Sequence, residues 1–275
     1  MKFWIGIQNN GFRFQRRGKM KELLSVAIDA AKEAGNILLE GFGKQIQTEK
    51  KADRSIVTEI DKKSEKIITG FLHSNFPSHK IIGEESGTSF SGDNDGYCWV
   101  IDPLDGTHNY IRGISLFGVS IGLLYGQEFA AGVIYLPCED ILYVSERGSG
   151  SFKNNTRIKV SSVNSLQECT LAYDSGFKAN AQQKLKLLQK IAPGVFNVRI
   201  LGASVRNLTY LAEGKVDMVI EFDDKLWDYS AGISLVLEAG GKVSGHDGSQ
   251  FTPDHNAYVA GNQFLHSQMI QFIQS

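Results

Sequence analysis

Apolar residues along 20–42 fall at Leu23, Leu24, Ala27, Ala30, Ala31, Ala34, Ile37 and Leu38. This spacing is close to one helical turn and predicts a helix closed by Gly41 and Gly43. The charged stretch 45–61 has no long period and reads as a mobile loop or short hairpin. Helical spacing resumes over 62–76 through Ile67, Ile68, Phe71 and Leu72, and stops before Pro77. "KIIGEES" (80–86) and "YCWVIDP" (97–103) are short apolar runs ending in acids, the pattern of buried strands whose carboxyl ends open onto a site. Segments 116–137 and 141–155 alternate apolar runs with Gly-rich turns and predict an antiparallel meander. A strand over 165–171, helices over 181–191 and 204–212, a strand over 216–222 and a helix over 229–238 complete the pattern. No repeat or Pro/Ser-rich linker divides the chain. The expected fold class is α/β, layered helices and sheet, in a single domain over 20–275 with a soft boundary near 160.

Composition narrows the field. The 275 residues are 42% hydrophobic and 21% charged, the mixture of a folded globular protein. Lys+Arg (29) and Asp+Glu (30) nearly cancel, so no excess of positive charge favours direct nucleic-acid binding. Cys98, Cys138 and Cys169 are scattered and in no CxxC spacing. They read as small core residues of a reducing, cytoplasmic protein rather than a disulfide or zinc framework. No apolar run approaches the roughly 20 residues that span a bilayer. Residues 1–19 lack a signal-peptide core and are expected to be a disordered extension.

The candidate chemistry centres on "WVIDPLDGTHNY" (99–110). Asp102 and Asp105 close a strand-like run, and Pro103 between them has no N–H to offer a carboxylate. Hard oxygen ligands on a bend suit Mg²⁺ or Mn²⁺ rather than zinc. Gly106 and Thr107 then open a turn or helix whose free N–H groups would attract a phosphate oxygen. An isolated D-x-x-D is more often a helix cap followed by a turn. Glu84 in "GEES" and Asp228 in "WDYSAG" end or begin core elements in the same way. With Asp102 and Asp105 they make four carboxylates that would repel one another unless a cation joins them.

"IGEES", "WVIDPLDGTHNY" and "WDYSAGISLVLEAGG", in this order and at these separations, resemble the inositol monophosphatase family of lithium-sensitive, Mg²⁺-dependent sugar phosphatases. The resemblance covers residue 20 to the C-terminus. It implies an αβαβα sandwich and two or three Mg²⁺ ions, with Mn²⁺ as a substitute. Their implied ligands are Glu84, Asp102, the Leu104 carbonyl, Asp105 and Asp228, with Asp102 bridging. It implies that Asp61 pairs with Thr107 to orient and deprotonate the attacking water, with no phospho-enzyme. Lys50 or Lys51 falls in the family's mobile loop. Asp105, Gly106, Thr107, Gly202, Ala203, Ser204, Glu221 and Asp228 would contact the phosphate and the polyol, and a homodimer is expected. Read alone, Asp61 could be a helix N-cap and Glu221 an edge-strand surface charge.

The substrate expected from the resemblance is inositol 1-phosphate or a related sugar phosphate. Fructose 1,6-bisphosphate, histidinol phosphate and adenosine 3′,5′-bisphosphate are alternatives, as is a regulatory role beside the transcription machinery. Two departures bear on this. "GASVRNL" puts Arg206 at an ordinarily apolar position and Asn207 at an acidic one. The arginine could reach a second phosphate or form a surface or dimer-interface ion pair. Ser230 replaces the usual Ala or Cys. His108 shows no metal-ligand spacing, and "SGDNDG" (91–96) reads as a polar turn.

Overall fold

The first helix, α1 (Gln8–Gly41), begins upstream of residue 20, where its apolar period starts. Its buried stripe is Leu23, Ala27, Ala30, Ala31, Ala34 and Leu38, so the period marks the packed part of the helix and not its beginning. The structure, a computed structural model, describes residues 8–45, 47–50, 56–89 and 96–275, without the side chains of 8–17 and Lys50. The run read as a polar turn lies largely outside these residues.

Strands β1 (Thr48–Lys50) and β2 (Ile56–Thr58) pair antiparallel, giving the polar stretch its short hairpin. Helix α2 (Glu59–Asn75) starts earlier than residue 62 because Thr58 closes a capping box. The Thr58 hydroxyl accepts the Ile60 and Asp61 N–H groups, and the Asp61 carboxylate accepts the Thr58 N–H. Asp61 is therefore in the first helical turn, not at the N-cap.

The chain continues through β3 (Lys80–Gly83), β4 (Gly87–Ser89), β5 (Tyr97–Asp105), the short α3 (Thr107–Ile111), β6 (Gly118–Tyr125), β7 (Glu128–Leu136), β8 (Ile141–Glu146), β9 (Gly150–Lys153) and β10 (Thr156–Ile158). These strands form an eight-stranded sheet ordered β10-β9-β8-β7-β6-β5-β3-β4. β3 and β5 run parallel there, and β5 to β10 make the expected meander.

The second half holds β11 (Thr170–Tyr173), α4 (Ala181–Ile191), β12 (Asn197–Arg199), α5 (Ser204–Ala212), β13 (Met218–Glu221), α6 (Leu226–Glu238), β14 (Lys242–Ser244), β15 (Tyr258–Gly261) and α7 (Gln263–Gln274). Its sheet is ordered β12-β11-β13-β15-β14. β11 lies later than the expected 165–171: Leu166–Glu168 form a 3₁₀ turn, and pairing starts at Thr170, whose N–H donates to Asp217 Oδ2 at 2.7 Å. Helix α6 starts ahead of residue 229 because the Asp228 carboxylate turns back to accept the Lys225 N–H at 2.6 Å.

Stacked in order, α1 and α2, the eight-stranded sheet, α5 and α6, the five-stranded sheet, and α4 with α7 give the αβαβα sandwich. One apolar cluster lies under α1 and α2, a second encloses α5 and α6, and a third lies under α4 and α7. The middle layer is tight. A Cβ at Gly132 would stand 2.4 Å from the Ala231 carbonyl oxygen, and one at Gly122 would stand 2.4 Å from Ser230 Oγ. Ser230 fits this gap, but its buried hydroxyl has no hydrogen-bond partner. All three cysteines are free thiols, with Cys169 buried and the other two half-buried. Among the described residues, no helix is long and apolar enough to cross a membrane.

Candidate active site

Residues three apart on a regular strand point to opposite faces. Along β5, Asp102 pairs with Ser120 and Asp105 with Gly118, so β5 carries an extra residue between its two acids. Such a bulge re-aims the second side chain. Asp102 Oδ1 accepts the Leu104 N–H at 2.9 Å, and Asp105 Oδ2 accepts the Val205 N–H. Gly106 follows at φ +88°, and a Cβ there would meet the Leu116 carbonyl oxygen at 2.8 Å. The turn into α3 therefore needs glycine.

At the start of α3, Thr107 Oγ1 lies 3.3 Å from Asp61 Oδ1 and 3.0 Å from the Leu104 carbonyl oxygen. Its single proton can serve one of these acceptors at a time. The other Asp61 oxygen holds the Thr58 N–H at 2.8 Å and the Thr58 hydroxyl. Asp61 thus combines the helix-start role with contact to Thr107, one oxygen for each. Burial pushes its pKa up to about 6, against the lowering effect of the Thr58 bonds.

Across from the bulge, a pocket of about 380 Å³ is lined by Asp105, Gly202, Ala203, Ser204, Glu221 and Asp228, among others. Its size suits a small ligand. Asn109 in α3 ties this wall down: its Nδ2 donates to the Leu116 and Leu201 carbonyls at 2.8 and 2.9 Å. Glu221 is not an edge-strand surface charge. It is buried on β13, which lies between β11 and β15, and its Oε1 accepts from Asn207 Nδ2 at 2.5 Å. An acid at 207 would face Glu221 with a like charge, so the amide resolves that departure.

The carboxylates act on one another. Burial holds Asp102 well above the usual carboxylate range, and the charges of Glu84, Asp105 and Asp228 add to this. Burial likewise raises Asp105 to about 7, opposed by the Val205, Ser204 and Gly106 N–H groups. Part of the Gly106 N–H expected for phosphate is thus directed at its neighbour. Asp228 is raised by burial, opposed by the Lys225 N–H, and by Asp105 and Glu84. Glu221 is raised by burial and by Asp174.

Among the described residues, no three His, Cys, Asp or Glu side chains converge closely enough to hold a metal ion as they stand. The donor chemistry nonetheless fits a hard divalent cation. The charge of Glu84 raises the pKa of Asp102, Asp105 and Asp228; with the Leu104 carbonyl beside them these groups form an all-oxygen set whose repulsion a cation would relieve.

Arg206 does not line the pocket. Its fully buried guanidinium pairs with both Glu139 oxygens and donates to the Ser115 carbonyl at 3.0 Å, tying α5 to the turn after β7. It is an intrachain ion pair in which the arginine is buried and Glu139 reaches the surface. His108 is exposed. Lys51 and the Lys50 side chain lie outside the described residues.

Sequence reading missed four polar groups. Asp174 and Lys184 line the far wall, with Lys184 Nζ 2.6 Å from Asp174 Oδ2. Asp224 accepts from Tyr258 at 3.2 Å and Ser204 at 3.4 Å; the acidic run "FDDKLWD" was its only signal. Glu65 stands one helical turn after Asp61 and is buried, a spacing that could have flagged it.

The Inositol monophosphatase family model matches residues 19–275. A fructose-1,6-bisphosphatase/inositol-1-monophosphatase of Aquifex aeolicus is 38% identical, covering 92% of this chain and 95% of its own. The Nus factor SuhB of Pasteurella multocida is 35% identical over 86% of this chain and 90% of its own. Among solved structures, the extragenic suppressor protein suhB of Bartonella henselae superposes with a TM-score of 0.87 at 32% identity, covering 92% of this chain and 99% of that one. With likeness running almost end to end, the chain belongs to the inositol monophosphatase family.

Proposed function

We propose that this protein is a Mg²⁺-dependent phosphomonoesterase that hydrolyses inositol 1-phosphate or a related sugar phosphate to the alcohol and inorganic phosphate. The observation that carries this reading is the mutual charge repulsion of Asp102, Asp105, Asp228 and Glu84 beside a sugar-sized pocket. Glu84, Asp102, Asp105, Asp228 and the Leu104 carbonyl would hold the metal. Bound Mg²⁺ acidifies water and offsets the negative charge of a phosphoryl group.

The chain's own groups do the rest. Thr107 passes its hydroxyl proton toward Asp61, whose second oxygen is fixed by Thr58, so the pair orients and deprotonates the attacking water. The Gly106 and Thr107 N–H groups approach the phosphate. Ser204, Glu221 and the Gly202–Ala203 backbone face the polyol hydroxyls. Asn109 holds that backbone in place.

Phosphate release tests the reading. Inositol 1-phosphate, fructose 1,6-bisphosphate, histidinol phosphate and adenosine 3′,5′-bisphosphate are offered with Mg²⁺, with Mn²⁺ and with chelator. The expected result is turnover of the inositol or sugar phosphate that chelator abolishes and millimolar Li⁺ inhibits. No turnover of any of the four overturns it. A dimer, expected in solution, is checked by sedimentation. A transcription-linked role is supported by the names of the Pasteurella and Salmonella relatives alone. Partner capture that is equal for wild type and Asp102→Asn would favour it.

A further inference from the structure

Helix α2 turns one face to the site. Asp61, Ser64 and Glu65 are all buried there, and each reaches a different segment. Asp61 meets Thr107, Ser64 Oγ donates to the Pro103 carbonyl at 2.9 Å, and Glu65 reaches the chain just beyond β3. We propose that Glu65 is a positioning residue that fixes the aim of Glu84 and thereby sets the protein's affinity for its divalent metal. This rests on reading Glu84 as a metal ligand.

The geometry is specific. Glu65 is only 3% exposed, and a buried carboxylate is costly unless donors meet it. Its Oε2 accepts the Glu85 N–H at 2.8 Å and its Oε1 accepts the Ser86 N–H at 2.7 Å. These are the two amides that directly follow Glu84. On the other side, the Glu84 N–H donates to the Ile101 carbonyl at 3.2 Å, extending the β3–β5 pairing by one residue. The backbone of Glu84 is thus gripped before and after, by β5 and by Glu65. Gly83 shows how closely the carboxylate lies: a Cβ there would stand 2.6–2.8 Å from the Glu65 carboxylate atoms. Glutamine at 65 would keep the shape but offer one oxygen to two N–H donors, and its NH₂ would face the second donor.

Wild type, Glu65→Gln, Gly83→Ala and Glu84→Gln are compared as full-length proteins. Mg²⁺ is titrated by the rise in Tm that it induces and, separately, by phosphate release. Groups that orient metal ligands typically alter metal affinity by 10–100-fold. Glu65→Gln is therefore expected to raise the half-saturating Mg²⁺ roughly 10-fold in both readouts, with kcat at saturating Mg²⁺ close to that of wild type. Gly83→Ala pushes the carboxylate aside without removing it, should shift the midpoint the same way, and decides the matter if Glu65→Gln does not fold. Midpoints for Glu65→Gln and Gly83→Ala that superimpose on wild type while Glu84→Gln shifts overturn the inference alone. An unshifted Glu84→Gln overturns the reading of Glu84 beneath it.

Discussion

The two walls of the pocket carry buried acids and treat them differently. On the far wall, Asp174 has a dedicated cation: the Lys184 ammonium, only 1% exposed, lies 2.6 Å from Asp174 and 3.3 Å from Asp223 and donates to the Gly176 carbonyl at 2.7 Å. On the near wall Asp105, and behind it Asp102, receive backbone N–H bonds, and among the described residues neither has an ion pair. A carboxylate paired within the chain is finished as structure. A pair of acids left with amides alone has charge to spare for a ligand.

Asp102→Asn breaks the contrast at its sharpest point. Phosphatase activity should fall by on the order of 10³-fold, while Tm in chelator holds or rises because a repelling charge has gone. Lys184→Met tests the other wall: stranding Asp174 should cost about 3–5 kcal/mol in urea unfolding, and adding Asp174→Asn should recover most of it. Gly132→Ala leaves both walls intact but wedges α6 from the sheet, with an expected loss of about 1–3 kcal/mol in urea unfolding.

The smallest effect concerns pH and lies away from both walls. Burial lowers the His266 pKa to about 4, so the folded protein binds this proton less readily than the unfolded chain does. The stability it confers is complete above about pH 6.5 and is lost as pH falls toward 4. His266→Gln should flatten the Tm profile over that window and leave it unchanged at pH 8.

Much of this was legible in the chain. The periods of 181–191 and 204–212 match α4 and α5, because amphipathic helices on a sheet show their buried face directly. The acids of the site were visible as residues, yet the way they are brought into one another's field was not. It depends on the β5 bulge, which register alone reveals, and on the closing of α6 against the sheet. Read alone, Glu221 left a surface charge open, because strand order cannot be read from one strand. Arg206 looked available because its partner Glu139 lies in a turn far away in sequence. Glu65 sat among charged neighbours on α2, and only its contacts with Glu85 and Ser86 set it apart.

Helix α6 has residues Tyr229 to Val236 buried between the two sheets and carries Asp228 in its first turn. Tilting it would tear open the middle of the molecule, so this helix cannot act as a lever during turnover. Any widening of the pocket mouth would therefore have to come from the peripheral segments around it, with α6 and Asp228 standing still.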